Sequence, residues 1–250
     1  MITSRWGRTL ALAVLMLVSV ARSGHAAAEV HRFNVVLSVD PMQVDGGDFN
    51  GTIDFINDTQ LKPRGLEGLK RVTFAWLYEG ELRYFVRPNM AVAVGVGQMR
   101  GASDREYLPQ LNSAIQLHTE MLSVPVHVGG AYYLAPFNQG DFQARAYFGA
   151  GVLSLVYNRA RFQQEATGVP GIPSIVTSGT QDGPGYYAEF GGHMFFASRM
   201  SVMIGIMYRS AQVKNLVDEN TGLPYQTLEG QPYTLDFTGA GGRFSLAIGF

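Results

Sequence analysis

Gly242-Arg243-Phe244-Ser245-Leu246-Ala247-Ile248-Gly249-Phe250 decides the reading of this 250-residue chain. Successive side chains of a strand point to opposite faces. Phe244, Leu246, Ile248 and Phe250 therefore share one face with Gly242, while Arg243, Ser245, Ala247 and Gly249 share the other. A strand with one wholly apolar face needs an apolar partner along its length. The closing strand of a sheet set in lipid has one.

The other end of the chain points to the same compartment. Arg5 and Arg8 give a positive start, Thr9 to Val20 is an almost unbroken apolar run, and Ala26-Ala27-Ala28 supplies small residues for cleavage. This pattern predicts a secretory signal peptide at 1–28, cleaved before Glu29, and a mature barrel domain at 29–250. The run is short of the ~20 residues a spanning helix needs. Loss of Arg5, Arg8 and Arg22 takes the formal charge from −1 to −4. No basic stripe suggests nucleic acid. With no cysteine there is neither a disulfide nor a thiolate metal site. Thirty glycines beside 12 tyrosines and 15 phenylalanines favour strands with tight turns over helix.

Period-two alternation recurs through the mature chain and predicts eight strands. The first runs from about His31 to Asp40 and the second from about Arg71 to Val86. The third is Met90 to Gln98, and the fourth is about Gln116 to Leu134. The fifth, Phe142 to about Arg161, flips its apolar parity after Gly151 to Leu153, Leu155 and Tyr157, which predicts a bulge there. The sixth is Tyr186 to Ala197, the seventh Ser201 to about Lys214, and the eighth about Tyr233 to Phe250, with a second uncertain register near Gly239. Connections 87–89, 137–141 and 198–200 are short, whereas 41–70, 99–115, 162–185 and 215–232 are long. Such sorting is the asymmetry of a membrane barrel: all-β, eight antiparallel transmembrane strands, short periplasmic turns and long extracellular loops.

On the apolar faces, Trp76, Tyr78, Tyr186 and Tyr208 lie toward the loop ends. Tyr84, Phe137, Phe142, Phe196 and Phe250 lie toward the turn ends, as two aromatic girdles would. The opposite faces carry Glu79, Glu81, Arg83, His127, Arg145, Glu189, His193, Arg209 and Arg243. An eight-stranded barrel is just wide enough to be filled by its own side chains. These residues are therefore expected to form a charge network in a packed lumen, with Ala91, Ala93, Gly95 and Gly97 leaving room for Arg83 and Glu81.

The chain resembles the small eight-stranded outer-membrane proteins, the class of OmpA-, OmpX- and OmpW-type barrels. The resemblance rests on segment 1–28, the strand pair around Glu81–Val92 and the terminal Arg243–Phe250. It implies a monomeric integral protein of the outer membrane in contact with lipid and lipopolysaccharide. Phe244, Leu246, Ile248 and Phe250 would form the signal read by the outer-membrane assembly machinery. A structural or surface-interaction role is expected. The alternatives are OmpW-like passage of small hydrophobic molecules and, more remotely, a lipid A-modifying hydrolase.

No enzyme, cofactor or metal site is expected. A hydrolase would need His118 and Glu120, near the outer end of the fourth strand, to meet a serine such as Ser154. His127 and His193 read as hydrogen-bonded lumen histidines rather than a metal pair. Asp45-Gly46-Gly47-Asp48-Phe49-Asn50-Gly51 lacks the ligand spacing and closing glutamate of a calcium loop and reads as a turn. The third long loop, with Ile172, Ile175 and Val176, reads as mobile and uncommitted.

Overall fold

The computed structural model describes residues 31–108, 114–139, 142–167, 175–196, 199–218, 221–227 and 230–250. The segment read as a signal peptide, its cleavage site and Ile172 lie outside them. Eight strands close on themselves: β1 (Phe33–Gln43), β2 (Phe74–Arg87), β3 (Met90–Tyr107), β4 (Ala114–Tyr133), β5 (Phe142–Thr167), β6 (Gly183–Phe195), β7 (Met200–Val213) and β8 (Gly239–Gly249). Each pairs antiparallel with its chain neighbour, and β8 returns to β1 through Asn34↔Gly249 to Val39↔Phe244. Closure leaves no barrel edge unpaired, which a lipid-embedded sheet requires.

The side chains alternate as the sequence predicts. Leu82, Val92, Val94, Val128, Phe190, Ile206 and Phe244 are exposed outward, and the residues between them are buried. Trp76, Tyr78, Tyr186 and Tyr208 face outward at one rim, and Tyr84, Phe137, Phe196 and Phe250 at the other. Phe142 lies against Phe196 with ring centroids 5.9 Å apart.

Four expectations change. The stretch 99–115 is largely strand, since β3 and β4 stay in one register from Met90↔Tyr132 to Tyr107↔Ile115. Much of 162–185 is also paired, with Ile175–Thr180 lying against Ala160–Gln164 of β5. A three- to four-stranded paddle thus continues above the barrel. Its polar residues on both faces hide the apolar alternation, but cross-strand pairs such as Gln116–Glu106, 3.0 Å apart, hold it.

The connection 41–70 is likewise not all loop. β1 continues through Pro41 to Gln43, and helix α1 spans Asp48–Ile56, followed by the turns Asn57–Leu61 and Lys62–Arg64. Gly46 and Gly47 have φ of 83° and 57°, so the chain can reverse before the helix.

The fifth-strand bulge sits at Val156 rather than Gly151: Val124 pairs with Tyr157, and Pro125 with Leu155. Leu153 and Leu155 therefore point inward, and only beyond Val156 does Tyr157 face out. The register near Gly239 does not shift. Leu235↔Val213 and Gly239↔Arg209 belong to one continuous alignment, and Phe237 N–H donates to Ala211 O at 2.9 Å between them.

Candidate functional site

The barrel interior is stacked in three levels. At the turn end Phe85, Ala91, Tyr133, Tyr147, Phe195 and Met203 form an apolar and aromatic floor. Tyr133 and Tyr147 stack with centroids 5.4 Å apart, and His193 stacks on Phe195 at 3.9 Å. At the loop end Met42, Leu77, Met99, Leu153, Leu155, Leu235 and Phe237 form an apolar level, on which Phe49 and Ile53 of α1 are seated. The ring of Phe49 lies 4.6 Å from that of Phe162, so α1 caps the mouth of the barrel.

Two hydrogen-bonding devices fix that cap. Asn50 acts like a strand residue toward Val72. Its Oδ1 accepts from Val72 N–H at 2.8 Å, and its Nδ2 donates to Val72 O at 3.0 Å and to Asp45 O at 2.7 Å. Asp48 Oδ2 accepts from Thr234 N–H at 2.7 Å, and Asp45 Oδ1 accepts from Gly47 N–H at 3.2 Å. The Asp45–Gly51 oxygens are thus engaged in turn and cap contacts, as a structural turn requires.

Between the two apolar levels lie the charges. Arg243 on β8 reaches Glu79 Oε1 at 3.2 Å, Glu81 Oε2 at 3.1 Å and Ser38 Oγ at 3.3 Å through Nη2, and it pairs with Glu189 through Nη1. Arg83 donates to Glu81 Oε1 at 2.7 Å, to Tyr133 OH at 2.7 Å and to Glu189 Oε1 at 3.0 Å. Its guanidinium also sits 5.4 Å from the centre of the Tyr147 ring. His127 faces both Glu79 and Glu81, with each ring nitrogen 3.3 Å from a carboxylate oxygen. Arg209 is the loosest member, 3.9 Å from Glu79, and its Nε and Nη1 have no hydrogen-bond partner among the described residues.

The network differs from the predicted one at three points. Arg145 is not part of it: this half-buried side chain at the turn rim donates to Gln143 Oε1 at 2.9 Å and to Pro88 O. His193 meets no carboxylate, contacting Tyr133 OH at 3.2 Å and Ser201 Oγ at 2.8 Å. The space at Gly95 is filled by His127, since a Cβ there would lie 2.4 Å from its Cε1. Sequence reasoning also missed Asp40, fully buried within electrostatic reach of Arg243 and Arg209, and the Tyr133 hydroxyl. Tyr133 shares inward parity with His127, and that parity was the available signal. Asp40 was hidden by its position at the end of the expected first strand.

Glu79, Glu81 and His127 present ligand atoms within 4.8 Å of one another. The geometry suits a cation, and the guanidinium of Arg243, bonded to both carboxylates, already supplies one. The hydrolase trio is not assembled. His118 contacts Asp104 and lies 3.9 Å from Glu120, and it pairs across the ladder with Gln163. Ser154 pairs with Val126, nine residues further along β5, roughly 25–30 Å away at the rise of a strand.

A closed antiparallel barrel with an apolar exterior, aromatic rims and a charged interior is a transmembrane β-barrel. The family model described as outer membrane protein beta-barrel domain matches residues 10–237, and the chain belongs to that family, whose place is the outer membrane. The solved structures to which it is similar include three outer-membrane proteins. Neisserial surface protein A has 11% identity and a TM-score of 0.42, covering 87% of this chain and 97% of that one. OprG from Pseudomonas aeruginosa has 14% identity and a TM-score of 0.43, covering 89% and 97%. Ail, the attachment invasion locus protein of Yersinia pestis, has 11% identity and a TM-score of 0.35, covering 88% and 98%. No curated protein matches the chain.

Proposed function

We propose that this protein is a structural and surface-interaction barrel whose lumen is closed by its own side chains. The carrying observation is the level of buried charge. Arg83, Arg209 and Arg243, each at most 1% exposed, cross the interior among Asp40, Glu79, Glu81 and Glu189, and α1 sits above them. Moving an ion or solute through would require breaking several desolvated ion pairs, each costly to separate. The paddle formed by β3, β4 and β5 is then the part offered to the exterior.

OmpW-like passage of a small hydrophobic molecule is the second reading. It is favoured by a cavity of about 630 Å³ beside α1, lined by Phe55, Ile56, Phe162, Leu216, Tyr225 and Tyr233. Its inner wall is α1 and the apolar level beneath, so the cavity fits a shallow receptor better than an entrance. Liposome swelling in small sugars and amino acids tests the closed lumen. Protein-loaded vesicles should swell no faster than empty ones, and rapid swelling would reject the closed lumen.

Assembly through the outward face of Phe244, Leu246, Ile248 and Phe250, a monomeric state, and removal of 1–28 on export complete this reading.

A further inference from the structure

The outer rim carries a second charged feature, on the lipid side of the wall. The β2–β3 ladder ends at Trp76↔Arg100, although β2 continues to Phe74 against β1. Above that pair the two chains part and leave a groove of about 620 Å³, lined by Lys70, Arg71, Phe74, Trp76, Arg100 and Arg105. Phe74 and Trp76 stand edge to face, 5.4 Å apart, at its base.

The height of this groove follows from the strand itself. From Val86 to Trp76 is ten residues of outward apolar face. At ~3.3 Å per residue and a tilt of ~40°, that spans roughly 25 Å, the full thickness of a barrel's apolar band. Trp76 is then at the outer boundary, and the basic side chains stand at headgroup level. The neighbouring strands agree: outward residues change from Val96 to Gln98 and Arg100 on β3, and from Tyr157 to Arg159 and Arg161 on β5.

The arginines are pre-arranged. Glu120, 5% exposed between them on β4, accepts from Arg100 Nε at 2.7 Å and from Arg159 Nη2 at 2.9 Å. One carboxylate thus holds two guanidiniums side by side, with the Arg100 side chain 56% exposed. Arg71 is held by Asp54 at 2.9 and 2.5 Å, and Arg105 by Glu67. Lys70 has no ion-pair partner among the described residues. Asp104 also faces the groove. Four of the charged side chains that line the groove are basic, Lys70, Arg71, Arg100 and Arg105, against one acid, Asp104; Asp54, Glu120 and Glu67 pair with Arg71, Arg100 and Arg105 without lining it.

We propose that this groove binds the phosphate of an outer-leaflet glycolipid headgroup, with acyl chains lying along Trp76, Tyr78 and the valines of β3. Planar guanidiniums held in place suit bidentate phosphate recognition, and an aromatic at the boundary suits the junction of headgroup and chain. In an outer membrane the fitting lipid is phosphorylated lipid A. The inference deepens the surface-interaction reading and rests on it only for the outward orientation of the paddle.

The test uses the full barrel refolded in detergent, with bound lipid counted by native mass spectrometry. The probes are bisphosphorylated lipid A, its dephosphorylated form and inorganic phosphate. Wild type should retain lipid A at least about tenfold better than the dephosphorylated lipid, the scale of one charge-assisted contact. Arg100→Gln with Arg159→Gln should lose that preference, Arg100→Lys should keep part of it, and Arg87→Gln at the opposite rim should leave it intact. Heat-modifiable migration of every variant shows that the barrel has closed. Equal retention of the two lipids, an unchanged double variant, or saturation by inorganic phosphate at the same concentration would overturn the proposal. An open lumen would reject the closed-barrel reading and leave this result standing.

Discussion

Arg243 on β8 and Glu189 on β6 meet inside the barrel although β7 separates their strands. The second oxygen of Glu189 takes Arg83 from β2 at 3.0 Å. One carboxylate therefore ties three strands together through the lumen, independently of the hydrogen-bond ladder. Glu189→Ala takes one carboxylate partner from each of two buried guanidiniums, which keep Glu81 and, for Arg243, Glu79, and should destabilise the barrel by about 3 kcal/mol, the lower end of the cost of breaking a buried pair. Urea unfolding in detergent measures this, and a change below about 1 kcal/mol would mean that water reaches the site.

Glu81 and Glu120 separate lumen from rim. Glu81 is buried between Arg83, Arg243 and His127, whereas Glu120 bridges Arg100 and Arg159 at the loop-end rim. Glu81→Ala should lower the unfolding temperature more than Glu120→Ala. Equal losses would contradict the assignment of the two faces.

Acid should act on the rim bridge with a definite sign. Burial raises the Glu120 carboxyl, but hydrogen bonds and charge from Arg159 and Arg100 outweigh it and leave the group below its ordinary 4.5. A lowered carboxyl stabilises the fold above its unfolded value and loses that contribution as pH falls through its folded value. The stability gap between wild type and Glu120→Gln should therefore be full near neutrality and close as the pH falls through the lowered value of the folded carboxyl. A gap that widens toward acid would reverse the assignment.

The lid over the lumen depends on Asn50. Asn50→Ala leaves Val72 N–H and O without their side-chain partner, a loss of about 1–3 kcal/mol confined to the cap. Hydrogen exchange should quicken over 48–64 and leave β2 to β8 unchanged. Uniform acceleration around the barrel would show that the cap and wall unfold together.

Phe250, 63% exposed on the outward face of the β8 end, continues the apolar row of Phe244, Leu246 and Ile248. If the assembly machinery reads that row, Phe250→Ala should reduce the heat-modifiable fraction in outer membranes without changing refolding in detergent. A matched drop in both would assign the residue to stability alone.

The wall of the barrel was legible because lipid enforces strict alternation: Leu82, Val94 and Phe244 report their face directly. Glu79, Glu81, Arg83, Glu189, Arg209 and Arg243 were legible as charges on the opposite parity. The paddle was not, because above the membrane Ser103 and Asp104 both tolerate water and the period vanishes. Helix α1 was obscured by its short length and by Gly51 and Thr52, which are weak helix formers; its stability comes from seating Phe49 and Ile53 on the apolar level. The bulge was misplaced because Leu153 and Leu155 looked lipid-facing. They are apolar for the opposite reason, filling the lumen beneath the cap.

Single-molecule conductance in planar bilayers tests the closed lumen most directly. The folded barrel should insert without a stable ohmic current, and a partial opening should follow only when Arg243 and Glu189 are both removed. A large, steady conductance from the wild-type protein would contradict the account.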